Sequence, residues 1–265
     1  MTKKAIGVFD SGLGGLTILN ALRRTLPHEN LIYFGDTANV PYGSKSKEAV
    51  TRLSLAIGRF LQEQNVKLIV VACNTASAQA LDELKKKLAV PVMGVIEPGA
   101  TKAVSVTKNG HIAVLGTEGT VNSKAYPKAL LKKLPNVHII QQACPLFVPL
   151  VEENWTNKPA AELIAREYLL PIQQSRADTV ILGCTHYPVL KAVLARILGA
   201  QVNLVDSADT LAEAAQVFLR KHHLAQTTGK GRITVYASDA PQRFKRLAQI
   251  LLADKISTVH LKKLL

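Results

Sequence analysis

The sequence predicts an α/β protein of two pseudo-symmetric domains, each a mostly parallel sheet flanked by helices, with a functional site in the cleft between them. Three observations lead there. Short apolar runs alternate with amphipathic helical stretches along the whole chain, the signature of parallel strands covered by helices on both faces. Ten such runs exceed what one compact sheet usually holds. The first part of the chain also recurs in its middle.

The runs fall at residues 5–9, 31–34, 68–71, 92–95, 112–115, 137–140, 180–182, 202–205, 233–236 and 257–260. Helical periodicity fills most of the intervals, most clearly over residues 47–64 and 77–88. The repeat has three parts in the same order. Ile6-Gly7-Val8-Phe9-Asp10-Ser11-Gly12 corresponds to Ile112-Ala113-Val114-Leu115-Gly116-Thr117-Glu118, and Leu31-Ile32-Tyr33-Phe34 to Val137-His138-Ile139-Ile140. Then Val70-Val71-Ala72-Cys73-Asn74-Thr75 corresponds to Ile181-Leu182-Gly183-Cys184-Thr185-His186. Each copy therefore carries one cysteine at the carboxyl end of its third strand, where open α/β sheets bind their ligands.

Composition narrows the chemistry. With 265 residues, 48% hydrophobic, the chain can bury a large core without staples. Its three cysteines are an odd number, widely spaced, with no CxxC pair, which argues against a disulfide framework and a structural metal site. A reducing compartment is expected, hence the cytoplasm. The apolar run that follows Met1-Thr2-Lys3-Lys4 is interrupted by Asp10, too early for a leader, and no window is long and apolar enough to span a membrane. The net charge of +14 raises the question of a nucleic-acid partner. Its Lys and Arg are scattered, however, with short clusters only at Lys85-Lys86-Lys87, Lys132-Lys133 and Lys262-Lys263, and no basic stretch is interleaved with aromatics. A solvated basic surface is the simpler reading, one that could also steer an anionic substrate.

Cys73 and Cys184 each follow a small residue and precede a polar pair, whereas Cys144 sits beside Pro145 among apolar residues, as a structural cysteine does. Two opposed thiols can invert a stereocentre: one takes a proton from one face of a carbon while the other supplies one to the opposite face, with no cofactor. A thiol hydrolase, needing only one of the two, and a binding role for the basic surface stay open. Other polar residues gather at strand ends. Asp10-Ser11-Gly12-Leu13-Gly14-Gly15 fails as a dinucleotide fingerprint but suits a turn whose backbone N–H groups approach a carboxylate. The Pro41-Tyr42-Gly43 turn would form a cleft rim. His186 could assist proton transfer at Cys184, while Glu152 and Glu153 are ambiguous alone.

These motifs together resemble the glutamate racemases of the aspartate/glutamate racemase superfamily. The likeness runs through Gly7–Leu16, Tyr33–Ala38, Pro41–Gly43, Ala72–Ser77 and Leu182–Pro188, and so covers essentially the whole chain. It implies cofactor-independent and metal-independent interconversion of L- and D-glutamate, supplying D-glutamate for peptidoglycan synthesis, cell-wall biogenesis and cell shape in a bacterium. It implies catalytic roles for Cys73 and Cys184, supporting roles for Asp10, His186 and an acidic residue placed at Glu152, and substrate contacts from Asp10, Ser11, Tyr42, Gly43, Asn74, Thr75, Thr185 and His186. A small-molecule substrate, no membrane or nucleic-acid partner and self-association as a homodimer complete the expectation. The resemblance also implies domains of residues 1–97 with 207–265, carrying Cys73, and 98–206, carrying Cys184. Aspartate or another amino acid stays open as the substrate, because the cysteine motifs do not set side-chain length.

Overall fold

Strands that are apolar on both faces need cover on both sides, and the chain provides it with two sheets and three layers of helices. The structure, a computed structural model, describes residues 4–252 and 256–264, without the side chains of residues 250 and 251. Met1-Thr2-Lys3, the start of the segment weighed above as a leader, lies outside the described residues.

Ten strands occur among those residues: β1 (Ile6–Asp10), β2 (Leu31–Gly35), β3 (Leu68–Val71), β4 (Val92–Gly94), β5 (His111–Gly116), β6 (His138–Ala143), β7 (Thr179–Gly183), β8 (Asn203–Val205), β9 (Ile233–Ala237) and β10 (Val259–Leu261). They form a six-stranded sheet in the order β10-β9-β2-β1-β3-β4 and a four-stranded sheet in the order β6-β5-β7-β8. Every pairing is parallel. The order β2-β1-β3-β4 recurs as β6-β5-β7-β8, so the repeated sequence is a repeated topology, to which the first sheet adds β9 and β10.

Side chains alternate across each strand, and this sets the layers. Ile6, Val8, Leu68 and Val70 of the first sheet share one buried cluster with Ile112, Val114 and Ile181 of the second. The helices Leu16–Thr25, Ile96–Val106, Ala125–Lys133 and Ala208–Lys221 fill the space between. Phe9, Ile69 and Val71 face a second cluster under the helix Lys47–Glu63, and Ala113, Leu115, Val180 and Leu182 face a third under the helices Pro159–Gln174 and Lys191–Leu198. The sheets are thus joined by a continuous apolar layer, and the carboxyl ends of β1, β3, β5 and β7 meet at one end of it.

Most strand ends shift by a residue or two from the sequence expectation, the last expected strand, 257–260, lying at Val259–Leu261, and the larger differences have identifiable reasons. The strand expected at 137–140 continues to Ala143, because its pairing with β5 runs on to Gly116↔Ala143 through the polar Gln141 and Gln142 of an edge strand. The helix expected over 77–88 is two, Asn74–Gln79 and Leu81–Lys87, but the hydrogen-bond ladder passes through Ala80 (Ala80 N–H to Ala76 O, 2.8 Å; Leu84 N–H to Ala80 O, 2.9 Å). The interruption is a bend. The first of the two starts early because Cys73 caps it.

Candidate active site

The two cysteine turns leave their strands differently. Cys73 follows β3 and is the N-cap of the helix Asn74–Gln79: its sulfur accepts from Ala76 N–H at 3.5 Å and its S–H donates to Ser11 Oγ at 3.8 Å. Cys184 follows β7 and enters a 3-10 turn at Tyr187–Leu190, which sets His186 beside it, with Nδ1 3.7 Å from the sulfur. The other imidazole nitrogen, Nε2, donates to Glu152 Oε1 at 3.2 Å. Both thiols are free and buried.

A single cavity is lined by Ser11, Tyr42, Gly43, Cys73, Asn74, Thr75, Cys184, Thr185 and His186, which brings together nine of the residues singled out in the sequence. The remaining two stand behind it. Asp10, fully buried, accepts from Gly12 N–H at 2.9 Å and from Thr185 Oγ1 at 3.3 Å, and Glu152 backs His186. Tyr42 contributes differently from the usual picture of a ligand-binding tyrosine: its hydroxyl donates to Asp36 Oδ2 at 2.6 Å. The carboxylate that the glycine-rich turn embraces is its own Asp10. The turn's glycines also serve close packing, since a Cβ on Gly14 would collide with Thr185 Oγ1 and lie 2.7 Å from His186 Nδ1.

Sequence reading passed over Thr117 and Thr120. Their hydroxyls form a triangle with Thr75 across the cleft: Thr75–Thr117 2.9 Å, Thr117–Thr120 3.1 Å, Thr75–Thr120 3.3 Å. The signal for Thr117 was present, because the repeat aligns it with Ser11. Val148, Val40 and Pro41 supply apolar wall.

Charge divides unevenly over the site. Burial, then the Asp10 carboxylate, push the Cys73 thiol up to about 12, outweighing the bonds from Ala76 and Ser11. Asp10 is itself raised by burial, partly offset by His186 and by the N–H groups of Gly12 and Gly15. Burial alone would lower His186, but the bonds to Cys184 and Glu152, with the Cys184 and Asp10 charges, lift it to about 10. Burial and the Asp10 carboxylate thus favour the neutral thiol at Cys73, while the partners of His186 favour the charged form of its imidazole. The cavity is about 20 Å³, room for about one water and less than an amino acid occupies. Among the described residues no three His, Cys, Asp or Glu side chains converge to hold a metal ion, and no helix is long and apolar enough to cross a membrane.

Two thiols presented to one small cavity by equivalent turns of a duplicated α/β fold define a class, and sequence comparison agrees with it: the chain belongs to the Asp/Glu/Hydantoin racemase family, which matches residues 15–215. Within that family its similarity is to glutamate racemases. One from Geobacter metallireducens is 50% identical over 98% of this chain and 97% of its own. The crystal structure of a glutamate racemase isoform from Bacillus anthracis superposes with a TM-score of 0.96 at 36% identity, covering 98% of each chain. That of Francisella tularensis glutamate racemase in complex with D-glutamate gives 0.93 at 36% identity, covering 99% of this chain and 98% of its own.

Proposed function

We propose that this protein interconverts L- and D-glutamate by a two-base proton transfer between Cys73 and Cys184, without a cofactor, and that the D-glutamate serves peptidoglycan synthesis in a bacterial cytoplasm. The observation that carries this reading is the meeting of two sulfurs at one cavity from topologically equivalent positions, each with its own polar partners. One sulfur, as thiolate, breaks the Cα–H bond and keeps the proton, and the electron pair passes into the carboxylate-stabilised carbanion. The other, as thiol, gives its proton to the opposite face and becomes the thiolate. The reverse reaction exchanges the roles.

The uneven electrostatics suit an amino-acid substrate. An α-ammonium brought near Asp10 offsets the carboxylate that helps hold Cys73 as a thiol, so binding itself favours the thiolate there. On the other side the His186–Glu152 pair supplies the charge and proton for Cys184. Ser11, Asn74, Thr75, Thr185 and the Tyr42-Gly43 rim would hold the substrate. In this reading residues 1–97 with 207–265 act as one body and residues 98–206 as the other, and closure excludes water.

The test is isotopic. In D₂O with L- or D-glutamate and no added cofactor, the protein should exchange the α-proton as optical rotation is lost. Cys73→Ala and Cys184→Ala should each lower racemisation by about 10³-fold or more. Either variant racemising at near wild-type rate would refute the two-base mechanism, and a wild-type protein inert on glutamate but active on aspartate would move the substrate.

A further inference from the structure

Tyr126 opens the helix Ala125–Lys133 in the part of the chain that carries Cys184, and it is fully buried. Its hydroxyl lies 2.8 Å from Asn74 Oδ1, on the residue after Cys73, and 3.4 Å from Ser207 Oγ. Its ring edge crosses β7 at the residue before Cys184: a Cβ on Gly183 would lie 3.1 Å from Tyr126 Cε2. A Cβ on Gly99 would lie 3.3 Å from the hydroxyl oxygen. One side chain thus touches both cysteine turns and, at Gly99 and Ser207, both places where the chain passes between the sheets.

The hydrogen bond to Asn74 has a chemical direction. A carboxamide presents an acceptor on one arm and donors on the other, and nothing about its shape decides which arm faces the cleft. A tyrosine hydroxyl has one proton. Given to Asn74 Oδ1, with Ser207 donating to the phenol oxygen, it fixes the carbonyl arm on Tyr126 and leaves the two N–H donors of Asn74 for the cavity that residue lines. N–H donors bind a carboxylate; a carbonyl oxygen repels one.

We propose that Tyr126 is a positioning residue for the substrate carboxylate: its hydroxyl, oriented by Ser207, locks the Asn74 carboxamide with its donors toward the cleft. This rests on the reading above that an amino acid binds at Asn74. Without the hydroxyl, Asn74 turns freely and offers the wrong arm part of the time.

Tyr126→Phe, which keeps the ring that packs on Gly183, separates this role from a merely structural one. Measured in both directions with glutamate, Y126F should raise KM about tenfold while kcat changes by less than about twofold. Ser207→Ala should raise KM less. In an Asn74→Ala background neither substitution should raise KM further, because there is no carboxamide left to orient. A Y126F effect of the same size in both backgrounds, or a loss in kcat with KM unchanged, overturns the proposal while an active wild type leaves the glutamate reading intact. A wild-type protein that exchanges no α-proton of glutamate removes both.

Discussion

The half of the molecule that carries Cys73 and the half that carries Cys184 share a strand order and a position for the sulfur, yet surround it with different chemistry. Asp10 in the first copy corresponds to Gly116 in the second, and Thr75 in the first to His186 in the second. The first half thus has a carboxylate and no imidazole, and the second an imidazole and no carboxylate of its own at that place. The contacts across the cleft follow the repeat only loosely, joining residues that are near equivalents and not exact ones. Thr75, after Cys73, meets Thr117 at the end of β5, and Thr185, after Cys184, meets Asp10 at the end of β1. The repeat is carried by the frame, in which the order β2-β1-β3-β4 recurs as β6-β5-β7-β8. The polar surroundings differ, so that burial and a carboxylate raise the Cys73 thiol while an imidazole lies beside the Cys184 sulfur. Because Thr185 binds Asp10 and the Asp10 charge acts on both Cys73 and His186, the two helpers form one electrostatic unit shared between the halves.

The largest effects should come from removing the titratable group on each side. Asp10→Asn and His186→Asn remove the charge from one half each, and proton-transfer groups of this kind contribute about 10²–10⁴-fold. Each should lower kcat within that range. The primary deuterium isotope effect should rise more with one enantiomer of α-deuterated glutamate in Asp10→Asn and more with the other in His186→Asn. The same enantiomer affected in both variants would mean that the helpers do not divide between the faces.

A second asymmetry lies at the opposite ends of the same strands. Lys67, just before β3, corresponds in the repeat to Asp178, just before β7. Lys67 is buried, ion-paired with the buried Glu29 at 2.5 Å, and donates to Leu224 O at 2.7 Å, while Glu29 also accepts from Gln226 N–H at 2.7 Å. This pair ties the segment leading to β9 and β10, the addition that the second sheet lacks. Asp178 instead gathers Thr107 Oγ1 at 2.7 Å and the N–H groups of Lys108 and Asn109 at the surface. Lys67→Met should leave Glu29 buried and unpaired and cost about 3–5 kcal/mol in urea unfolding, whereas Asp178→Asn should cost about 1 kcal/mol. Lys67→Met combined with Glu29→Leu should recover most of the loss. Equal costs in the two halves would show that the buried pair adds nothing beyond a surface cap.

The contrast between frame and helpers also separates what sequence reveals from what it conceals. The strands are legible because burial on both faces writes short apolar runs into the chain, and the repeat identifies the equivalent turns. The cavity-lining residues are legible for the same reason: strand ends are local features. Relations between distant residues leave no such trace. Lys67 and Glu29 read as two more surface charges, and Thr120 and Tyr126 as ordinary helix residues, until the fold brings their partners in. Glu152 and Glu153 are adjacent carboxylates with no distinguishing pattern. Only the turn at the end of the helix Phe147–Glu152 aims the first at His186 and leaves the second 65% exposed, facing Arg243 at 3.5 Å.

That last distinction gives the smallest and most selective perturbation, because Glu152 acts on one half alone. His186 is lifted to about 10 although burial opposes its charge, and the hydrogen bond to Glu152 is among the causes. Activity that needs the imidazolium should therefore persist to an alkaline limb near that value. In Glu152→Gln the carboxylate charge is gone, burial is less opposed, and the limb should move to lower pH, with kcat at neutral pH down by about tenfold or less. Stability should follow the same group. A histidine raised above its unfolded value of 6.5 contributes stability that is complete below that value and lost as pH rises through about 10. Glu152→Gln should thus unfold at lower urea than wild type at pH 6, with the gap closing above pH 10. Ser11→Ala, the matching loss beside Cys73, removes no charge and should leave the alkaline limb in place. A limb that fails to move in Glu152→Gln, or moves equally in Ser11→Ala, would mean that the cation beside Cys184 is not what sets the two halves apart.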